Sequence, residues 1–432
     1  MGRTGYGALL ARNRNFRFLW AAEIVSFLGD WFNTIALYTI VFELAGSGRA
    51  LAVVMVAKML PVFLVMPVAG PLVDRFDRRT LLIASDLARM VLALGLILAH
   101  RAESLPALYA CIVAMVTMTG VFFPARQAAI PQIVGEKDLA TANALSGGTW
   151  SVMLAIGAAA GGWVTAAAGV DVALVLDSAT FLLSAGLLVT LPALPAPAAR
   201  RGASVTFVDG LRHLRRHPYQ MALACLKPMM ALGGGTLILI PVLGSGFFPA
   251  TSGPLWVGIL YSSRGLGALI GSIGMFRVFG ESSRTLRRMI LCAYPLAGLA
   301  YLALGRVTTF AGAAACLFVA AVGSGMNWVM VGTLLQRDVD RHYLGRVSAL
   351  EFGVMTLVFS GMSWIAGGFL DSGVPPSSVA TRFGFLLFVP FVAWGVALVL
   401  FRERRLRDAT GDAVLTAGTT PEAFDAIPPA ED

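Results

Sequence analysis

Charged side chains are scarce in this 432-residue sequence: Asp, Glu, Lys and Arg together make up 13% of it, against 57% apolar residues. Mean hydropathy is +0.77. A soluble core cannot bury that much apolar surface, so an ordinary water-soluble globular protein is excluded. Lysine is rarer still. None of Lys58, Lys137 and Lys227 follows a glycine, so there is no Gly-Lys-Ser/Thr phosphate loop, which disfavours an ATP-driven pump. The four cysteines, Cys111, Cys225, Cys292 and Cys316, share no ligand-like spacing and read as small apolar fillers. The four histidines, His100, His213, His217 and His342, fall in loops or at span ends, which leaves any proton chemistry to carboxylates. No Gly-x-Ser-x-Gly, His-Glu-x-x-His or Cys-x-x-Cys pattern occurs, so an enzyme is disfavoured and neither a cofactor nor a metal is implied.

What the chain does hold is long apolar runs. A span needs about 20 apolar residues, and twelve candidates are present, at 17–44, 51–73, 80–99, 105–123, 142–168, 171–193, 219–247, 254–277, 286–304, 308–331, 345–370 and 379–401. The first run is too long for a signal peptide and is expected to be retained. The net charge of +9 is spread over seven loops rather than gathered on one face, so nucleic acid is not an expected partner. Outside the spans, nearly all Lys and Arg lie on the side of the N-terminus; Arg49, Arg101, Arg306 and Arg382 are the exceptions. That asymmetry predicts both termini in the cytoplasm of a bacterial inner membrane.

The Pro-bearing, basic stretch 194–218 is the one long interior segment without a span, and its Arg212–Arg216 run suggests a short amphipathic helix on the inner leaflet. It separates residues 1–193 from 219–407, six spans each, and 408–432 reads as a disordered acidic tail. A repeat at an offset of about 205 residues supports the division: Ala142-Asn143-Ala144-Leu145 returns as Val347-Ser348-Ala349-Leu350, and Gly161-Gly162 as Gly367-Gly368. The expected fold is an all-α membrane protein of two parallel-repeat six-helix bundles.

Charges inside spans are costly and mark function or fixed pairs. Glu23 and Asp30 share one face of the first span, and counting about 1.5 Å per residue puts Asp30, Lys58 and Arg264 near one level. They, with Asp177 and Lys227, are candidates for proton coupling or for lining a substrate cavity; the competing reading is a static Asp30–Lys58 ion pair. Asp86 and Arg89, three apart, read as a structural pair. Glu23 and Glu351 read as gate or helix-end groups. Gly157 with Gly161, and Gly267 with Gly271, permit close helix packing. Pro61, Pro67, Pro228 and Pro241 predict kinks. Trp31, Trp150, Trp256, Trp328 and Trp364 are either pocket walls or packing and interface residues.

Between spans two and three, Gly70, Leu72, Asp74, Arg75, Arg78, Arg79 and Leu82 resemble motif A of the major facilitator superfamily, with Asp77 where that pattern has a second Gly. Gly29-Asp30-Trp31, Phe122-Phe123-Pro124-Ala125-Arg126, Pro131 and Ala142-Asn143-Ala144-Leu145 resemble the branch that holds the enterobactin exporter, macrolide efflux proteins and a lysophospholipid transporter. The resemblance implies a rocker-switch transporter, with Asp74 and its arginines latching the cytoplasmic side, together with Gly70 and Arg126, when the other side is open. Gly157, Gly161 and Gly162 match its span-five antiporter motif, while Ala158 replaces the Pro. The expectation is export of a small amphipathic molecule, drug-, macrolide- or siderophore-like, in exchange for protons, by a monomer in contact with lipid. The alternative is a lipid-handling or sensor protein on the same fold.

Overall fold

The computed structural model describes residues 6–196, 207–246, 253–280 and 282–401, and they are helical almost throughout. The expected tail, 408–432, lies outside them. Twelve long helices cross in sequence: α1 Arg14–Ala45, α2 Gly48–Arg75, α3 Arg78–Arg101, α4 Leu105–Gly135, α5 Lys137–Ala168 and α6 Val170–Val189, then α7 Pro218–Gly244, α8 Gly253–Phe279, α9 Ser283–Leu304, α10 Phe310–Asp338, α11 Arg341–Asp371 and α12 Pro376–Phe401. Eleven are long and apolar enough to cross a membrane by composition; α9 carries Arg284, Arg287 and Arg288 in its first two turns and is the twelfth. With an even number of crossings, Tyr6 and Phe401 lie at the same end of the molecule, here called the near end.

Short polar residues start these helices. The side chains of Asn13, Ser47, Asp77, Ser104, Ser282 and Thr309 each accept a hydrogen bond from a backbone N–H three residues on, at 2.9 to 3.4 Å. These side chains satisfy donors that hydrocarbon could not. Several helices outrun their apolar stretches. Helix α4 continues through Pro124 and Pro131 to Gly135, whose φ of 70° breaks the chain before α5, because hydropathy marks the hydrocarbon layer and not the helix end. The sequence places a charged turn at 70–79; instead α2 runs to Arg75 and the turn shrinks to Phe76 and Asp77. The Pro-flanked middle of α7 tightens to a 3-10 helix at Ala231–Ile238, where Gly234 and Gly235 let the rings of Phe359 and Phe383 press on the backbone.

Six helices pack in each half. Gly29 lies against Thr180 of α6, Gly157 and Gly161 against Trp31 of α1, and Gly120 against Val65 of α2. In the second half Gly267 and Gly271 meet the backbone of α10 at Phe318 and Val322, and Gly298 meets Gly384 of α12. Val91, Leu98, Leu182, Leu183, Val396 and Val399 point outward, as lipid-facing side chains do.

The halves touch along two seams. In α5–α8, a methyl group at Gly162 or Gly258 would lie only 2.6 or 2.5 Å from the carbonyl oxygen of Pro254 or Ala158, and Ser262 donates to the carbonyl of Ala155 at 2.5 Å. In α2–α11, Gly48 abuts Gly367, and the Asp371 carboxylate accepts from the backbone N–H groups of Gly48 and Arg49 and the hydroxyl of Ser47, at 2.6, 3.2 and 2.9 Å. Both seams occupy the middle and the end away from the termini. The hydrogen bonds described between the halves all lie in the middle or at the far end, where the molecule is closed; the near end, where α2 finishes with Asp74 and Arg75 exposed, is splayed.

Candidate functional site

A buried cluster of charges occupies the core of the first half. Arg89, 2% exposed, forms an ion pair with Asp86 and lies between the rings of Phe122 and Phe181, 4.5 and 4.4 Å from their centroids. Its second guanidinium nitrogen reaches Ser26 on α1 at 3.4 Å, and Asp86 accepts from Ser184 on α6 at 2.6 Å. Asp177, wholly buried, accepts from Asn33 at 2.8 Å with one carboxylate oxygen; the other has no hydrogen-bond partner among the described residues. Gly29 makes this approach possible, since any side chain there would strike Asp177 and Thr180. Lys58 does not pair directly with Asp30. It donates to Thr34 Oγ1 at 2.5 Å, and Thr34 in turn donates to the backbone carbonyl of Asp30 at 2.6 Å. No direct Asp30–Lys58 bridge forms; the Thr34 hydroxyl links Lys58 to the backbone of Asp30 and not to its carboxylate. Lys58 and Arg89 both attract Asp30 and Asp177, which repel each other. The cluster holds three acids, Asp30, Asp86 and Asp177, and two bases.

Arg264 stands apart from it. It lies one turn beyond Tyr261 on α8, and its electrostatic neighbours are Tyr261 and Tyr38, whose rings stack at 6.1 Å; Trp31 closes on Tyr261 at 5.4 Å. Asp30, Lys58 and Arg264 are all partly buried, so none is turned fully outward. Trp31 is the only one of the five tryptophans in this group: Trp256 packs on Phe310, Trp328 under Lys227, Trp364 beside Arg49, and Trp150 is half exposed. The tryptophans form no common pocket.

Toward the near end, Glu23 pairs with Arg126 of α4 and accepts from Ser146 of α5 at 3.0 Å. In the second half Lys227 binds Glu351 of α11 at 2.9 Å. The 205-residue offset carries Ser146 onto Glu351 and Glu23 to within one residue of Lys227. The same helix pairing thus recurs with the charge on the first helix reversed. Nothing in either half's sequence alone announces this, because each partner comes from a different helix.

The 70–82 segment is divided in its contacts. Asp77 caps α3 and accepts from the N–H of Leu194 at 2.6 Å, Arg78 donates to the carbonyl of Pro195 at 2.5 Å, and Arg79 to that of Val189 at 2.6 Å. These bonds tie the end of α6 to α3 within one half. Asp77, where the motif has Gly, is therefore a helix cap. Asp74 and Arg75 are exposed at the splayed end and make no hydrogen bond or ion pair among the described residues. Gly70 is likewise open, while Gly157 and Gly161 serve α1 packing and Gly162 serves the seam between halves.

A family model described as Major Facilitator Superfamily matches residues 19–361. Among curated proteins, the chain is 25% identical to the uncharacterized MFS-type transporter YfiS of Bacillus subtilis (strain 168), over 88% of this chain and 92% of that one. It is 26% identical to the enterobactin exporter EntS of Escherichia coli O1:K1 / APEC, over 80% and 82%, and 26% identical to the putative bacilysin exporter BacE of Bacillus subtilis (strain 168), over 53% and 58%. Among solved structures, a mutant form of the nucleoside transporter NupG superposes with a TM-score of 0.70 at 14% identity, covering 89% of this chain and 99% of that one. A bacterial homologue of the human lysosomal transporter Spinster, inward-facing and unoccupied, superposes at 0.63, with 14% identity and coverage of 92% and 96%.

Proposed function

Because the chain belongs to the Major Facilitator Superfamily, and is a multi-pass membrane transporter rather than an enzyme, we propose that it exports a small amphipathic molecule by alternating access, in exchange for protons. Two relatives named as exporters support the direction. The observation that carries the coupling is the buried cluster of Asp30, Asp86 and Asp177 against Arg89 and Lys58. Three acids and two bases within low-dielectric packing are neutral only when one extra proton is held. Asp86 is committed to Arg89 and Ser184. The exchangeable proton therefore belongs to Asp30 and Asp177, which share the field of Lys58 and Arg89.

The distribution of Arg and Lys supports a cytoplasmic near end. In that orientation the described state is cytoplasm-open, with Asp74 and Arg75 waiting at the parted rim, and their engagement belongs to the opposite state. The Asp30–Asp177 pair releases its proton to the cytoplasm, substrate enters from the same side and leaves when the seams part; protonation from outside resets the carrier. An inward proton yields about 2.3 kcal/mol per 100 mV and about 1.4 kcal/mol per pH unit, enough for a gradient of order a hundredfold.

The test is efflux from reconstituted vesicles under an imposed pH gradient, using a panel of macrolides, siderophores and hydrophobic cations. Asp30→Asn is expected to lose gradient-driven efflux while keeping gradient-free exchange of the same compound. Full gradient-driven efflux by that variant removes Asp30 from the mechanism.

A further inference from the structure

Resting on the exporter reading, we infer that the transported molecule bears an organic oxyanion, a carboxylate or phosphate ester, that Arg264 receives. Four other basic side chains at least partly buried within the spans have partners: Arg89 has Asp86, Arg126 has Glu23, Lys227 has Glu351, and Lys58 has Thr34, with Asp30 and Asp177 nearby. Arg264 has no acid within 4.0 Å and no hydrogen bond among the described residues, although it is partly buried in a helix that crosses the membrane. A guanidinium left unpaired at that depth is costly, and such groups normally find a counter-charge.

Position makes the missing partner a passing one. The next residue, Gly265, packs its backbone on Ala155 of α5, so Arg264 is anchored beside the seam along which the halves separate. Tyr261, one turn before it, reaches across to Tyr38 and Trp31 of α1, the helix that carries Asp30. Arg264 therefore sits on the second half beside the seam, next to the aromatic contact that Tyr261 makes with α1. The planar fork of a guanidinium presents paired donors that match two oxygens of a carboxylate or phosphate, which an ammonium does not. An anion held there is also driven outward by a potential negative inside, in the direction the exporter reading requires.

The test uses the full chain in phosphatidylcholine nanodiscs, at one pH and without a gradient, so that a failure of proton coupling does not affect it. Four probes of one shape are titrated against tryptophan fluorescence: 2-naphthoate, 2-naphthyl phosphate, 2-naphthamide and naphthylmethylammonium. Both anions are expected to bind about tenfold or more tightly than the amide. R264Q brings them to the level of the amide without altering amide binding, and R264K, which keeps the charge but loses the paired donors, falls between R264Q and the parent. The inference is overturned if the amide or the ammonium binds as well as the anions, if none of the four binds, or if monodisperse R264Q binds the anions unchanged. Anion binding that disappears in phosphatidylglycerol discs would make Arg264 a lipid-headgroup site and overturn it too.

Discussion

Arg89 is the most heavily committed side chain of the first half. Its charge is neutralised by Asp86, its faces by Phe122 and Phe181, and one nitrogen by Ser26. Removing one member of a buried ion pair leaves the other uncompensated, at a cost of about 3 to 5 kcal/mol. Arg89→Leu is therefore expected to lower the unfolding temperature in detergent sharply, and Asp86→Ala combined with Arg89→Leu to recover part of the loss. A double variant no more stable than Arg89→Leu would contradict the pairing. The Asp86–Arg89 contact was legible from a spacing of three on one helix. The rest of the cluster was not, because Ser26, Phe122, Phe181 and Ser184 come from three other helices whose rotations a single sequence does not fix. For the same reason Thr34 escaped notice: a threonine in an apolar run carries no charge to flag it.

At the scale of helices, the far end is held by backbone approach in α5–α8 and by one carboxylate in α2–α11. A side chain at Gly162 would meet the carbonyl of Pro254 at 2.6 Å. Gly162→Val is accordingly expected to part the halves at that end. Spin labels at Glu103 and Thr308, exposed on the far-end loops of the two halves, will report a shift toward the longer distance. Asp371→Asn acts on the same equilibrium more gently, since removing the negative charge at the N-terminus of α2 costs about 0.3 to 1 kcal/mol, roughly a two- to fivefold change in populations. An unaltered distance distribution in both variants would mean that neither seam controls the opening. The span pattern and the small-residue spacing of α5 were readable in the sequence. Which glycine faced which neighbour was not: Gly157 and Gly161 turned out to seat α1, and the residue after them forms the seam.

Considered whole, the molecule places its unpaired, exposed Asp74 and Arg75 at one end and its sealed surfaces at the other. In a background with the four native cysteines replaced by alanine, Glu103→Cys is expected to react with an impermeant maleimide on intact cells, and Asp74→Cys only after permeabilisation. The reverse pattern would invert the orientation and turn the proposed export into uptake. The two-bundle architecture was visible because hydropathy and a repeat are properties of the chain itself. The conformational state was not, since both states share every residue and differ only in which ends of the helices meet.

The α5–α8 seam consists of main chain lying on main chain, with one serine hydroxyl crossing it. Such a joint parts without breaking an ion bridge or rearranging a bulky rotamer. Its unsealing should therefore be almost indifferent to ionic strength, and the tempo of the carrier should follow how fluid the surrounding lipid is.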